Sequence, residues 1–200
     1  MDLNILLHAL TSYFVIMDPI GTAVFFHALT GDADRTYARR MAFRAVFIST
    51  IIVLLFGFFG EQVLTNLGIS IASLRVAGGL LLFYTSFGMI TRRQQEEYKA
   101  DLQVDISVYP LSIPLIAGPG CLTLTILLFA ERSRPGAATA LILAVLLSYL
   151  LTLACLLSSK YIRRIIGRTG DDILRRLLGV ILAALAIQFI ADGIRQLAGG

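Results

Sequence analysis

The chain has 200 residues, of which 57% are hydrophobic and 15% charged, with a formal net charge of +4 and a mean hydropathy of +0.81. Soluble domains are about 45–50% apolar and about 25% charged, so this composition excludes an ordinary soluble globular domain. The basic excess is no nucleic-acid footprint either, because Lys and Arg fall between apolar runs, where they report topology.

A crossing helix needs about 20 mostly apolar residues. Six such segments are predicted, at 3–29, 42–59, 67–90, 108–130, 136–158 and 173–197. Together they use most of the chain, so residues 1–200 read as a single transmembrane domain, all-α, with its function inside the bundle.

Segment one opens on an apolar run, 3–17, preceded only by Asp2. A signal peptide needs a basic n-region and a small-residue cleavage site, so the run is read as a retained first helix. It is interrupted at Asp18-Pro19-Ile20-Gly21, after about 22 Å of helix, which puts the break well inside a bilayer. Asp is a good N-cap and Pro suits the first helical position. Asp18 is therefore expected to end one half-helix and cap the next. It is also the only acidic residue deep in a segment, and an intramembrane carboxylate is a functional-site hypothesis by default.

The first connection carries Arg35, Arg39, Arg40 and Arg44, and the second, around Glu61 to Ser73, carries no basic residue. In segment three, Arg75 lies near one end, placed to snorkel or to pair with Glu61 or another acid. Gly78-Gly79, like Gly179 in segment six, suits close helix packing. The third connection has Arg92, Arg93 and Lys99. Segment four is punctuated by Pro110, Pro114 and Gly118-Pro119-Gly120, where missing donors and permissive glycine open the backbone. The fourth connection holds Arg132 and Arg134. The fifth holds Lys160, Arg163, Arg164 and Arg168, with Arg175 and Arg176 at the start of segment six. Asp192 and Arg195 sit near its far end. Odd connections thus carry thirteen of the 17 basic residues. The positive-inside rule places them in the cytoplasm and both termini in the periplasm of a bacterial inner membrane. If segment four doubled back without crossing, the Arg-rich fifth connection would face outward, which the charge count opposes.

A shift of 100 residues puts Pro19 on Pro119, Ser12 on Ser112, Ile16 on Ile116, Leu74-Arg75 on Leu174-Arg175, Gly79 on Gly179, Leu82 on Leu182 and Ile90 on Ile190. The expected architecture is two three-helix repeats, about 1–100 and 101–200, with helices 1 and 4 broken. Three crossings per half force the halves into opposite orientations, and inverted repeats are a transporter signature. Opened backbone at membrane depth must line protein or a wet cavity. There, half-helix N–H groups suit an anion, and freed carbonyls suit a cation. Asp18, Pro19, Ile20, Gly21, Thr22, Gly118, Pro119 and Gly120 are the candidate substrate-binding residues, expected to meet around a small polar cavity. Cys121 and Cys155 lie in apolar segments without metal spacing, His8 and His27 have no ligand-like companions, and no nucleotide loop or nucleophile triad occurs. Neither metal, cofactor nor enzymatic activity is expected.

In four ordered stretches the chain resembles the MarC family of small bacterial and archaeal membrane proteins along nearly its whole length. They are Asp18-Pro19-Ile20-Gly21 with Phe26; Leu74 to Gly79; Pro110 to Pro114 through Gly118-Pro119-Gly120; and Gly179 to Leu182 through Gln188-Phe189 and Asp192-Gly193. One branch of that family is similar to transporters of small neutral amino acids, which implies an amino-acid substrate. The family pattern has Asn and then Pro where this chain has Thr22 and Val24. Thr22 offers a hydroxyl but no amide N–H₂, which bears on substrate choice. The leading expectation is a secondary transporter of small solutes, with Asp18 placed to bind a substrate ammonium or to carry a coupled proton. A channel or efflux pore, and a non-transporting membrane scaffold, are the alternatives. Its partners are then a small-molecule substrate, membrane lipid and, at most, further copies of itself.

Overall fold

A computed structural model describes residues 2–30, 33–91, 105–133 and 135–199. The described residues are helical nearly throughout. Helix α1 spans Leu3–Met17 and α2 Pro19–Thr30, with the expected break between them. The long α3 (Arg35–Asn66) and α4 (Ile71–Thr91) complete the first half. The second half holds a π-helix (Ser107–Ile116), α5 (Pro119–Ala130), α6 (Ala137–Leu157) and α7 (Ser159–Ala198). Among the described residues five stretches are long and apolar enough to cross a membrane: 3–30 taken across its break, 35–66, 71–91, 137–157 and 172–198. The remaining apolar helix, α5, has 12 residues.

Local chemistry accounts for these boundaries. The Asp2 carboxylate accepts from the N–H of Asn4 at 2.9 Å and starts α1. Asp34 does the same for Thr36 at 3.1 Å and starts α3. Helix α3 outruns the apolar stretch predicted at 42–59 at both ends, because Arg and Ala on its first turns are good helix formers whatever their polarity. It stops at Gly68, whose φ of +70° is left-handed, with Gly68 and Ile69 N–H bonded back to Thr65 and Leu64 carbonyls. The basic connection expected before segment six is itself helical, as the first turns of α7, and is kinked at Gly167 (φ 62°, ψ −177°). Segment four begins as a π-helix. Pro110 and Pro114 lack N–H donors, and five-residue bonds run from Leu111 N to Ile106 O (3.3 Å) and from Ala117 N to Ser112 O (2.8 Å).

The broken segments lie at the centre. Most of α2 and α5 is buried, including Ala23, Phe25, Phe26, Leu124, Leu127 and Phe129. The unbroken helices surround them and present large apolar side chains outward, such as Phe47 and Phe59 on α3, Tyr84 on α4, Leu150 on α6 and Val180 on α7. This order suits a bilayer: opened backbone is kept among protein groups, and continuous helices meet lipid.

Packing pairs the halves crosswise. Helices α1 and α2 lie against α6, while the π-helix and α5 lie against α3; α2 touches α7, and α5 touches α4. The most extensive interface joins α4 to α7. There, a Cβ added at Gly79 would lie 2.8 Å from Ala186 O and 2.6 Å from Ile190 Cγ1. One added at Gly179 would lie 3.2 Å from Ser86 O and 3.0 Å from Ile90 Cγ1. Both glycines permit close backbone approach, the packing role expected for them.

Ion pairs gather the ends. Arg132 bonds Glu61 at 3.0 Å, and Arg75 lies 4.0 Å from Glu131, so the ends of α3 and α5 meet the start of α4. Arg44 bonds Asp105 at 2.9 Å at the other end of the bundle. Between Arg44 and Glu61, α3 rises about 26 Å, and residues 105–132 cover the same distance from Asp105 to Arg132. Segment four therefore runs end to end and does not double back. At its start, hydrogen bonds from Ser107 and the nearby Arg44 charge hold the Asp105 carboxyl below the usual carboxylate range.

Candidate functional site

The first break is built by one residue. Asp18 adopts φ 41° and ψ 66°, and among the described residues it is the one non-glycine with positive φ. Its N–H closes α1 on Phe14 O at 3.1 Å. Its Oδ1 accepts from Gly21 N–H at 3.0 Å and so caps α2. Asp tolerates the left-handed region better than most residues, and Pro19 disfavours an α conformation just before it. The sequence expectation, an aspartate that ends one half-helix and caps the next, matches this geometry. Asp18 is 8% exposed. Thr22, also buried, donates its hydroxyl to Met17 O at 3.0 Å and ties the two half-helices together.

A second charge reaches this break that the sequence did not assign to it. Arg175 on α7 extends to Gly21 O, with Nη2 at 3.4 Å. The place a Cβ would take on Gly21 is overlapped by Asp18 Oδ2 and lies 2.9 Å from Arg175 Nη2. A carboxylate and a guanidinium therefore converge over one glycine, which has no side chain to keep them apart. Arg175 was expected to report topology. The signal that could have found it is the repeat match of Leu174-Arg175 to Leu74-Arg75, two arginines on the stripe that faces the broken helices. Arg75 itself turns to Glu131 at the bundle end, as one of its two expected roles had it.

The second break differs. Gly118 is extended (φ −74°, ψ 168°) and N-caps α5 without a side-chain hydrogen bond, and Pro119 follows as the first helical residue. Beside Gly120, an added Cβ would meet the side chain of Leu82 on α4. The two broken segments are joined by a buried hydrogen bond, Tyr13 Oη to Thr125 Oγ1 at 2.9 Å. Thr125 spends its own hydrogen on Cys121 O at 2.7 Å, so Tyr13 is the donor. Cys121 Sγ in turn lies 3.9 Å from Tyr149 Oη on α6. Asp18 is five residues past Tyr13, and Pro119 six before Thr125. The breaks therefore lie about 7–9 Å from this bond along their helices, on the same side and at similar depth.

Two cavities bear on the site. One of about 480 Å³ lies against the first break, walled by Met17 and Pro19, by Ser148 on α6 and by Leu178 on α7. The other, about 280 Å³, lies at the bundle end between His8 and Glu131. Neither takes a wall from Gly118, Pro119 or Gly120.

Residues 3–198 match the family described as "MarC family integral membrane protein". A UPF0056 membrane protein of Methanocaldococcus jannaschii is 38% identical, with 98% of each chain covered. Another, of Buchnera aphidicola, is 34% identical over 96% of this chain and 93% of its own. YvbG of Bacillus subtilis is 30% identical over 98% and 96%. No solved structure matches the chain.

Proposed function

The chain belongs to the MarC family of integral membrane proteins, and from that premise we propose that it is a secondary transporter of small solutes, with neutral amino acids as the substrate class. It works by rocking one inverted half against the other around the first break. The observation that carries this reading is the reciprocity of the packing. Exchange residues by 100, and Gly79 against Ala186 and Ile190 becomes Gly179 against Ser86 and Ile90. The contacts of α1 and α2 with α6 become those of the π-helix and α5 with α3. Two halves in equivalent surroundings exchange roles at low energetic cost, which is what alternating access requires.

The first break supplies the binding chemistry. Asp18 is placed for an ammonium group or a coupled proton, and Arg175 with the start of α2 for a carboxylate. The termini and the even connections lie on the periplasmic side and the basic connections on the cytoplasmic side. The test is counter-flow of amino acids in proteoliposomes. Exchange stimulated by substrate on the opposite side, and lost in Asp18→Asn, supports the proposal. Flux without trans-stimulation makes the protein a channel, and no flux with any amino acid overturns it.

A further inference from the structure

The cavity against the first break has a wall unlike the break itself. It is lined by Leu10, Phe14, Leu147, Leu151, Leu178 and Ile181, so it is almost wholly apolar. Its volume, about 480 Å³, far exceeds the room a methyl group needs. Met17 and Pro19, the neighbours of Asp18, form its inner end, and Leu178 lies one turn from Arg175. Two hydroxyls belong to its wall. Thr11 spends its own on the carbonyls of Leu7 and His8. Ser148, only 4% exposed, has an Oγ with no hydrogen-bond partner among the described residues. A buried hydroxyl left unpaired costs stability, so an unpaired one on a residue that walls this cavity marks a place where a ligand completes the bonding.

We infer that this cavity is the side-chain subsite of the solute site, and that the solute is a zwitterion with an aliphatic side chain larger than methyl. The inference rests on the transporter reading above and narrows it. The charged head lies at Asp18, Arg175 and the start of α2, with the Ser148 hydroxyl as a further partner. The side chain enters the space between α1, α6 and α7. The rival occupant is a lipid acyl chain, because the rim residues Leu147, Leu151 and Ile181 are exposed on the outer surface.

The experiment measures counter-flow and thermal stabilisation by glycine, alanine, valine and leucine on the full-length protein. Burying a leucine side chain favours leucine over glycine by about tenfold or more. Ser148→Leu fills the cavity, and the leucine-to-glycine ratio then falls at least about tenfold. Ile181→Phe, at the exposed rim, tests the same ratio should the buried change prevent folding. Equal handling of glycine and leucine by the wild type, or a ratio unmoved by both variants, overturns the inference and leaves the cavity to lipid. That failure is distinct from failure of the transporter reading, in which no amino acid shows flux sensitive to Asp18→Asn.

Discussion

The two broken segments occupy matched positions in the sequence and are finished by different chemistry. At the first, a left-handed aspartate caps the following half-helix and meets an arginine from α7. At the second, a glycine in extended conformation begins α5 with no side-chain cap, and the half-segment before it is a π-helix. Their arginines diverge in the same way. Arg175 reaches inward to Gly21 O, while Arg75 turns outward to Glu131. The surroundings of Gly79 and Gly179 are therefore reciprocal, and the chemistry at the two breaks is not. A site that must hold a charged solute needs its charges at one place, and a repeat can keep its backbone punctuation while one copy alone acquires them.

The most severe break of this comparison is Gly21→Ala against Gly120→Ala. At Gly21 the new methyl overlaps Asp18 Oδ2 and comes within 2.9 Å of Arg175 Nη2, so both charges must move. Counter-flow should fall to background, with a stability loss of about 1–3 kcal/mol from overpacking. At Gly120 the methyl meets the end of the Leu82 side chain, which has rotamers to yield, and a large share of flux should persist. Equal effects at the two glycines would show that the breaks are functionally alike.

Asp18→Asn should act next most strongly, and on function more than on fold. Asn caps about as well as Asp and tolerates the same left-handed backbone, so the melting temperature should move little. The substitution removes the carboxylate proposed to hold the solute's ammonium, and truncating one partner of a buried, hydrogen-bonded charge pair costs about 2–5 kcal/mol of binding, at least about 30-fold in affinity. Arg175→Gln should give a similar loss, and the double variant should lose less than the product of the two. Independent effects in that cycle would separate Asp18 from Arg175.

Arg75→Gln sharpens the contrast between the repeat mates. Its Glu131 partner is half exposed, and such pairs are worth about 0–1 kcal/mol. The melting temperature should shift little and transport should survive, unlike Arg175→Gln. The smallest effect belongs to pH. Because the Asp105 carboxyl is held below its ordinary range, its contribution is present above about pH 4 and is lost as acid protonates it. Thermal unfolding of Asp105→Asn should therefore show a shallower decline between about pH 5 and 3 than the unaltered chain.

Much of this architecture was legible in the residues. Apolar runs gave the five stretches that are long enough to cross a membrane, since hydropathy is a local property read over about 20 residues. Asp18-Pro19 and Gly118-Pro119-Gly120 gave the breaks, because a missing N–H and a permissive φ act on the adjoining backbone wherever it lies. Gly79 and Gly179 announced close packing for a similar reason. The helical start of α7 was hidden because a charged stretch reads as a connection while Lys and Arg still propagate a helix.

The site is where sequence and tertiary structure part. The sequence by itself determined that Asp18 would end one half-helix and begin the next, since cap, turn and proline are neighbours in the chain. Only the tertiary structure decided that Arg175 joins it, that Arg75 does not, and that a cavity with an unpaired Ser148 hydroxyl lies alongside. Both arginines follow a leucine near the start of an apolar stretch, and nothing local distinguishes them. A guanidinium on a flexible stem takes the direction its surroundings favour, and the carbonyl that draws Arg175 inward belongs to a glycine 154 residues away in the chain.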